Sequence, residues 1–297
     1  MGIVLNQSFK NTLIVYLAFA VGGINTLFLY TRFLDEDYYG LVTFLLSSSN
    51  LLMPLTAFGV QYTIVKFYSS YESKLERDKF LSLAMVLPLL IAIPLGFLGS
   101  MFYEQISALL SIKNPIIKEY TFVIYLVAVA TAYFEVFYAW SKVQFRSVFG
   151  NFIKEMYNRL VVMILLFSVY FKFITEKEFI YYLTAAYFLR LLIMMLYAFK
   201  LYLPKFSFSL PENYKEIFRY SLYIILAGSA GAILLDIDKV MIPAKEEIAL
   251  AAYYTVAVFI GSAIEAPGRA MLQILQPLTS RAINDNNFEE KVTGYGA

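Results

Sequence analysis

The stretch Asn11–Tyr68, NTLIVYLAFAVGGINTLFLYTRFLDEDYYGLVTFLLSSSNLLMPLTAFGVQYTIVKFY, decides the fold. It holds two apolar runs, Thr12–Leu34 and Leu41 to about Val65, joined by the acidic turn Asp35-Glu36-Asp37-Tyr38-Tyr39-Gly40. An α-helix rises about 1.5 Å per residue, so each run has the ~20 residues that a ~30 Å hydrocarbon core demands. The turn is too short to hold a folded domain. The pair therefore reads as a membrane-spanning helical hairpin.

Composition carries the same reading along the whole chain. Of 297 residues, 60% are hydrophobic and 15% charged, with a mean hydropathy of +0.65. Soluble domains average roughly 45–50% apolar and about 25% charged, so this chain has more apolar surface than a water-soluble core can hide. The 27 Phe and 25 Tyr suit lipid-facing and interfacial positions. With no Cys and no His, thiol nucleophiles, disulfides, His general bases and Cys/His zinc sites are excluded, while carboxylate metal sites remain open. No cofactor is expected. The apolar run after Lys10 continues to Leu34, beyond the ~7–15 residues of a signal-peptide core, so it reads as an uncleaved first helix.

Eight spans are expected, at about 12–34, 41–65, 80–103, 119–141, 156–173, 178–199, 217–236 and 248–276. The fold class is all-α, a polytopic helical membrane protein with short connections. One side of the membrane would carry Lys10, Lys66, Lys74, Arg77, Lys79, Lys142, Arg146, Lys154, Arg159, Lys200, Lys205, Lys215 and Arg219. The other would carry only Arg32, Lys113, Lys118, Lys172, Lys177, Lys239 and Lys245. Cytoplasmic loops hold the excess of basic residues, so the N-terminus is expected inside and the 35–39 turn outside.

A weak echo of the first hairpin recurs near the C-terminus. Pro267 lies 213 residues after Pro54 (267 − 54), Glu246-Glu247 answers the acidic turn, and Gly228 and Gly231 answer Gly22-Gly23. Transporters are commonly built from two repeats with the substrate site between them. Residues 1–205 then read as an N-terminal six-helix lobe and 206–283 as the first two helices of a second lobe. Residues 284–297 read as a polar tail, as though the chain were part of a longer transporter.

The Gly-rich first span, RFLDEDYYG (Arg32–Gly40), LTAFGVQYTIVKFYSS (Leu55–Ser70) and the segment Asp238–Arg281 resemble one family. It is that of bacterial polysaccharide-biosynthesis membrane proteins, the lipid-linked oligosaccharide (O-antigen type) flippases. These belong to the multidrug/oligosaccharidyl-lipid/polysaccharide exporter superfamily. The resemblance implies two lobes of about six helices each and a multi-pass place in the bacterial cytoplasmic membrane. It implies transport without enzymatic chemistry: a polyprenyl-diphosphate-linked oligosaccharide would be flipped by alternating access. Membrane lipids and the polysaccharide polymerase machinery would be partners; nucleic acid would not. Two alternatives stay open. One is a cation-coupled multidrug/toxin antiporter of the same superfamily, although Thr12–Leu34 contains no carboxylate to couple transport. The other is a polyprenyl-phosphate-dependent membrane glycosyltransferase, for which the acidic turn is short.

Ionisable groups at membrane depth are functional candidates, because charge there is costly unless paired or hydrated. Arg190, about 16 Å into the sixth span, has a fork suited to a diphosphate. Its bland role is an ion pair, with Glu135 as the expected partner. Glu135 itself is a candidate for ion coupling, or else reaches Lys142. Arg32 would form a cationic rim or pair with Asp35 or Glu36. Arg159 is expected to snorkel to the interface. Glu265 and Arg269 share a helix face beside Pro267, with Arg269 a substrate-binding candidate. Asn50, in the polar cluster Ser47-Ser48-Ser49-Asn50, would line a cavity or join helices. Asp236-Ile-Asp238 has the D-x-D form of metal–nucleotide sites but is expected at a helix end, away from nucleotide sugars.

Overall fold

The computed structural model describes residues 2–263, with side chains from residue 9, and the described residues form helices and no strand. Helix α1 runs Gly2–Ile24, widens into a π turn at Asn25–Leu29 and ends at Tyr30–Phe33. Asp35 caps the next helix by accepting from the Asp37 N–H at 3.0 Å. Glu36 and Asp37 sit in the first turn of α2 (Glu36–Ala57), where negative charge complements the helix dipole. The first hairpin thus forms as expected, and its acidic residues are what start the second helix.

The second run does not continue as one helix to Val65. Helix α2 passes through Pro54 and stops at Ala57, and α3 (Val60–Phe67) begins anew. Between them Phe58 and Gly59 take left-handed backbone, φ 49° and 65°. A Cβ on Gly59 would stand 2.9 Å from the Ser221 carbonyl oxygen, so another helix presses on this point. Glycine takes that conformation without steric cost, and it leaves room for the contact.

The remaining helices are α4 (Lys74–Met101), α5 (Tyr103–Leu110) and α6 (Ile116–Val143). Helix α7 is Ser147–Phe152, a π turn at Ile153–Tyr157, and Asn158–Tyr170. Helix α8 (Glu176–Leu201) opens on a capping box between Thr175 and Glu178, and α9 spans Tyr214–Lys245. Helix α10 is described over Ala249–Ala263; the expected continuation to 276, with Pro267, lies outside the described residues. Among the described residues six helices, α1, α2, α4, α6, α8 and α9, are long and apolar enough to cross a membrane. The other two expected spans are α7, divided by its π turn, and the short described part of α10. Helix α9 also corrects the sequence reading. It continues nine residues past 236, so Asp236 and Asp238 lie well inside a helix.

Helix α6 is the axis, and its Tyr120, Phe134 and Trp140 are fully buried. One core cluster gathers Phe134 and Trp140 with Ile64 and Phe80; a second gathers Tyr120 with Leu41, Phe44 and Phe179. In lipid such packing rests on dispersion and polar contacts, because the tails are as apolar as the side chains. The second hairpin, α9–α10, begins its second helix 213 residues after the first hairpin does (249 − 36). The two hairpins touch at Thr43 and Thr255, whose hydroxyl oxygens are 3.4 Å apart. Between α8 and α9 the non-helical segment 202–213 is held by side chains. Tyr202 donates to Asp78 (2.6 Å), Ser207 N–H donates to Ser82 Oγ (3.1 Å), and Asn213 accepts from Tyr71 (2.5 Å). Burial, helped by the Asp78 carboxylate, pushes the Tyr202 phenol up to about 12, so it remains a donor throughout the physiological range.

Candidate functional site

Two polar clusters lie within the helices. The first is built on the π turn of α7. Such a turn loosens the backbone ladder and exposes carbonyls to other donors. The Lys154 carbonyl accepts from Arg190 Nη2 at 3.4 Å, and the Arg159 carbonyl accepts from Asn25 Nδ2 at 2.7 Å. Asn25 itself opens the π turn of α1, so that turn is tied by one side chain to the helical segment that follows the π turn of α7.

Arg190 is 5% exposed and lies midway along α8. Its guanidinium stacks over the Phe134 ring, 3.7 Å from the centroid, with Tyr187 at 6.0 Å. Its Nε has no partner, and no carboxylate lies within 4.0 Å of it among the described residues. The expected Glu135–Arg190 pair is therefore not formed. Glu135 Oε1 meets Lys154 Nζ at 2.7 Å instead. Successive helix residues diverge by about 100°, so a guanidinium lying on Phe134 is not aligned with the next side chain. Lys142 does not pair with Glu135 either; it lies 4.6 Å from the Tyr138 ring centroid, which Lys154 also approaches at 5.5 Å.

Arg159 is half-buried and packs across α1. It pairs with Glu155 at 3.2 Å and crosses Gly22 so closely that a Cβ there would be 2.9 Å from its Nε. Phe259 of α10 reaches the same glycine and stacks on Phe19, with ring centroids 4.8 Å apart. Gly22 thus permits a close approach to α1. In all, Lys142, Lys154, Arg159 and Arg190 face two carboxylates, Glu135 and Glu155, which leaves two unbalanced positive charges (4 − 2). Such a cluster can receive an anion, and a guanidinium with a spare donor can grip a phosphate oxygen.

The second cluster joins α2 to α9. Asp236 is 8% exposed and accepts from Ser47 Oγ, Asn50 Nδ2 and Lys239 Nζ, each at 3.0 Å. Ser49 back-bonds to the Leu45 carbonyl at 2.7 Å. Asn50 joins helices, one of its two expected roles, although it is itself exposed. Sequence reasoning missed Asp236 because it ended the seventh span there; the apolar residues Val240, Met241 and Ile242 were the available signal.

Arg32 is exposed and makes no ion pair among the described residues. Its expected partners are engaged elsewhere: Asp35 caps α2, and Glu36 accepts from the Tyr253 hydroxyl. The Asp35 N–H donates to Glu176 at 2.5 Å. Arg269 and Glu265 lie outside the described residues.

No curated protein and no solved structure matches the chain. The family model described as "Polysaccharide biosynthesis protein" matches residues 8–282, which takes in both hairpins and both polar clusters. With its long apolar helices and that match over most of its length, this multi-pass membrane chain belongs to the polysaccharide biosynthesis protein family and serves polysaccharide biosynthesis and export.

Proposed function

We propose that the chain moves an oligosaccharide carried on a polyprenyl diphosphate across the bacterial cytoplasmic membrane, by alternating access and without making or breaking a bond. The observation that carries this reading is Arg190: a buried mid-membrane guanidinium with an unpartnered Nε and no carboxylate against it. A polyprenyl diphosphate has the charge and the oxygen geometry to complete it, and its tail can remain in the bilayer. Family membership supports the wider role in polysaccharide export.

In this reading Lys142, Lys154 and Arg159 draw the anion toward Arg190, and the headgroup passes between a lobe made of residues 1–205 and one begun by 206–283. Asn50, Arg32 and Arg269 contact the headgroup at other depths. Glu135 is the ion-coupling group: its protonation would release Lys154 to the diphosphate. The N-terminus is inside, and the working partners are membrane lipids and the polymerase that consumes the exported unit.

The test is the location of the lipid-linked oligosaccharide in a deletion strain that makes a surface polysaccharide. Build-up on the cytoplasmic leaflet, relieved by the full-length gene, supports the proposal. Finished units appearing outside without the gene would overturn it, and dye accumulation in that strain would then test drug efflux.

A further inference from the structure

Helix α4 leaves the bundle partway along its length. Its buried residues end at Ala92, and Pro94 follows, which has no N–H to give the backbone ladder. Beyond that point Leu95, Gly96 and Gly99 face Ile106 of α5 and Phe122 and Tyr125 of α6 across a cavity of about 410 Å³. That volume lies within the ~300–1,000 Å³ of small-molecule sites. Tyr125 donates to the Ala92 carbonyl at 2.7 Å and crosses Gly96, where a Cβ would stand 2.5 Å from its hydroxyl oxygen. The phenol thus closes the inner end. At Gly99 a Cβ would meet nothing within 4 Å, so that part stands open.

The mouth is charged. Lys118, Phe122 and Tyr125 follow one another at helical spacing on α6, so Lys118 lies one turn beyond the apolar lining. Its carbonyl accepts from Tyr103 at 3.4 Å, and its ammonium lies 3.7 Å from Glu104 of α5. The two charged side chains are 58% and 78% exposed. Nearby Lys113 is exposed, and Glu119 is already paired with Lys177. A cation and an anion side by side at the head of an apolar slot match a phosphate beside an ammonium.

We propose that this cavity binds one acyl chain of a zwitterionic phospholipid, with the phosphate on Lys118 and the ammonium on Glu104. The pair selects against a wholly anionic head, such as a polyprenyl diphosphate, because Glu104 would repel it. The chain supplies the dispersion contacts that α4 gives up after Pro94. The site is separate from the Arg190 cluster, and its test reads lipid binding and not transport.

The experiment places p-benzoylphenylalanine at Ile106, and in a second protein at lipid-facing Leu196 of α8, in nanodiscs of phosphatidylethanolamine and phosphatidylglycerol. Mass spectrometry then identifies the cross-linked lipids. At Ile106 the ratio of phosphatidylethanolamine to phosphatidylglycerol adducts should exceed that of the bilayer by about fivefold, the scale of the one ammonium–carboxylate contact that phosphatidylglycerol lacks. At Leu196 adducts should follow bulk composition. Gly99→Phe, which fills open space, should remove the Ile106 adduct. Glu104→Gln should keep the adduct and lose the preference, which decides the matter even if Gly99→Phe fails to fold. Bulk composition at Ile106 would overturn the proposal, and displacement of the adduct by added polyprenyl diphosphate would give the site to that lipid instead.

Discussion

Arg190 and Asp236 are both buried, both charged and both within helices, yet their clusters are finished differently. Asp236 receives three donors at 3.0 Å, one of them a lysine, so its charge and lone pairs are answered. Arg190 has an aromatic face, one long bond to a carbonyl and an orphan Nε. A satisfied polar group between two helices fixes their register; an unsatisfied one is costly to keep, and its cost is offset when a ligand arrives. The contrast suits Asp236 to holding α2 against α9, and it leaves Arg190 with a free donor for the ligand of the proposed function.

Substitutions can break that contrast. Asp236→Ala should have the largest effect on stability, about 3 kcal/mol, because it takes the shared acceptor from Ser47, Asn50 and Lys239 and leaves the half-buried ammonium only the Leu235 carbonyl, at 3.3 Å. Thermal unfolding in detergent would measure it, and a near-neutral result would remove Asp236 from the α2–α9 joint. Arg190→Ala should shift unfolding much less than Asp236→Ala while lowering transport about a hundredfold, the scale of a lost charge-assisted contact. Arg190→Lys should restore only part, since a point charge cannot copy the fork. Normal flipping by Arg190→Ala would take Arg190 out of the site. Glu135→Gln should lower transport about tenfold, the scale of one weakened charge-assisted contact, and flatten its response to an imposed pH gradient. Transport unchanged at every gradient would exclude coupling through this group. Asn50→Ala removes one of three donors to Asp236 and should cost only about 1 kcal/mol. A loss as large as that of Asp236→Ala would mean that Asn50 carries the joint.

The candidate residues were legible in part. Arg190 and Glu135 stand out as charges in apolar runs, and both prove to belong to one cluster. Their pairing was not legible, because Glu135 is equally near several cations in sequence terms and only the lie of α7 against α6 selects Lys154. The π turn that exposes the Lys154 carbonyl is likewise invisible in the run FGNFIKEMYNRL, where no Pro or paired Gly marks it. Asn50 was legible as a polar residue in a helix, but its partner sits 186 positions away.

By itself the sequence determined that the chain spans a membrane several times, roughly where its long helices lie and that its first hairpin turns in the acidic stretch that begins at Asp35. Bilayer thickness, helix rise and capping are local rules, and each can be read from a few adjacent residues. Tertiary structure alone decided that Gly59 breaks the second span, that α9 carries Asp236 deep within its length, and that Arg190 goes without a carboxylate. Those outcomes depend on how far each helix is rotated and which neighbour it touches, and in lipid that is set by packing and polar contacts between segments distant in the chain.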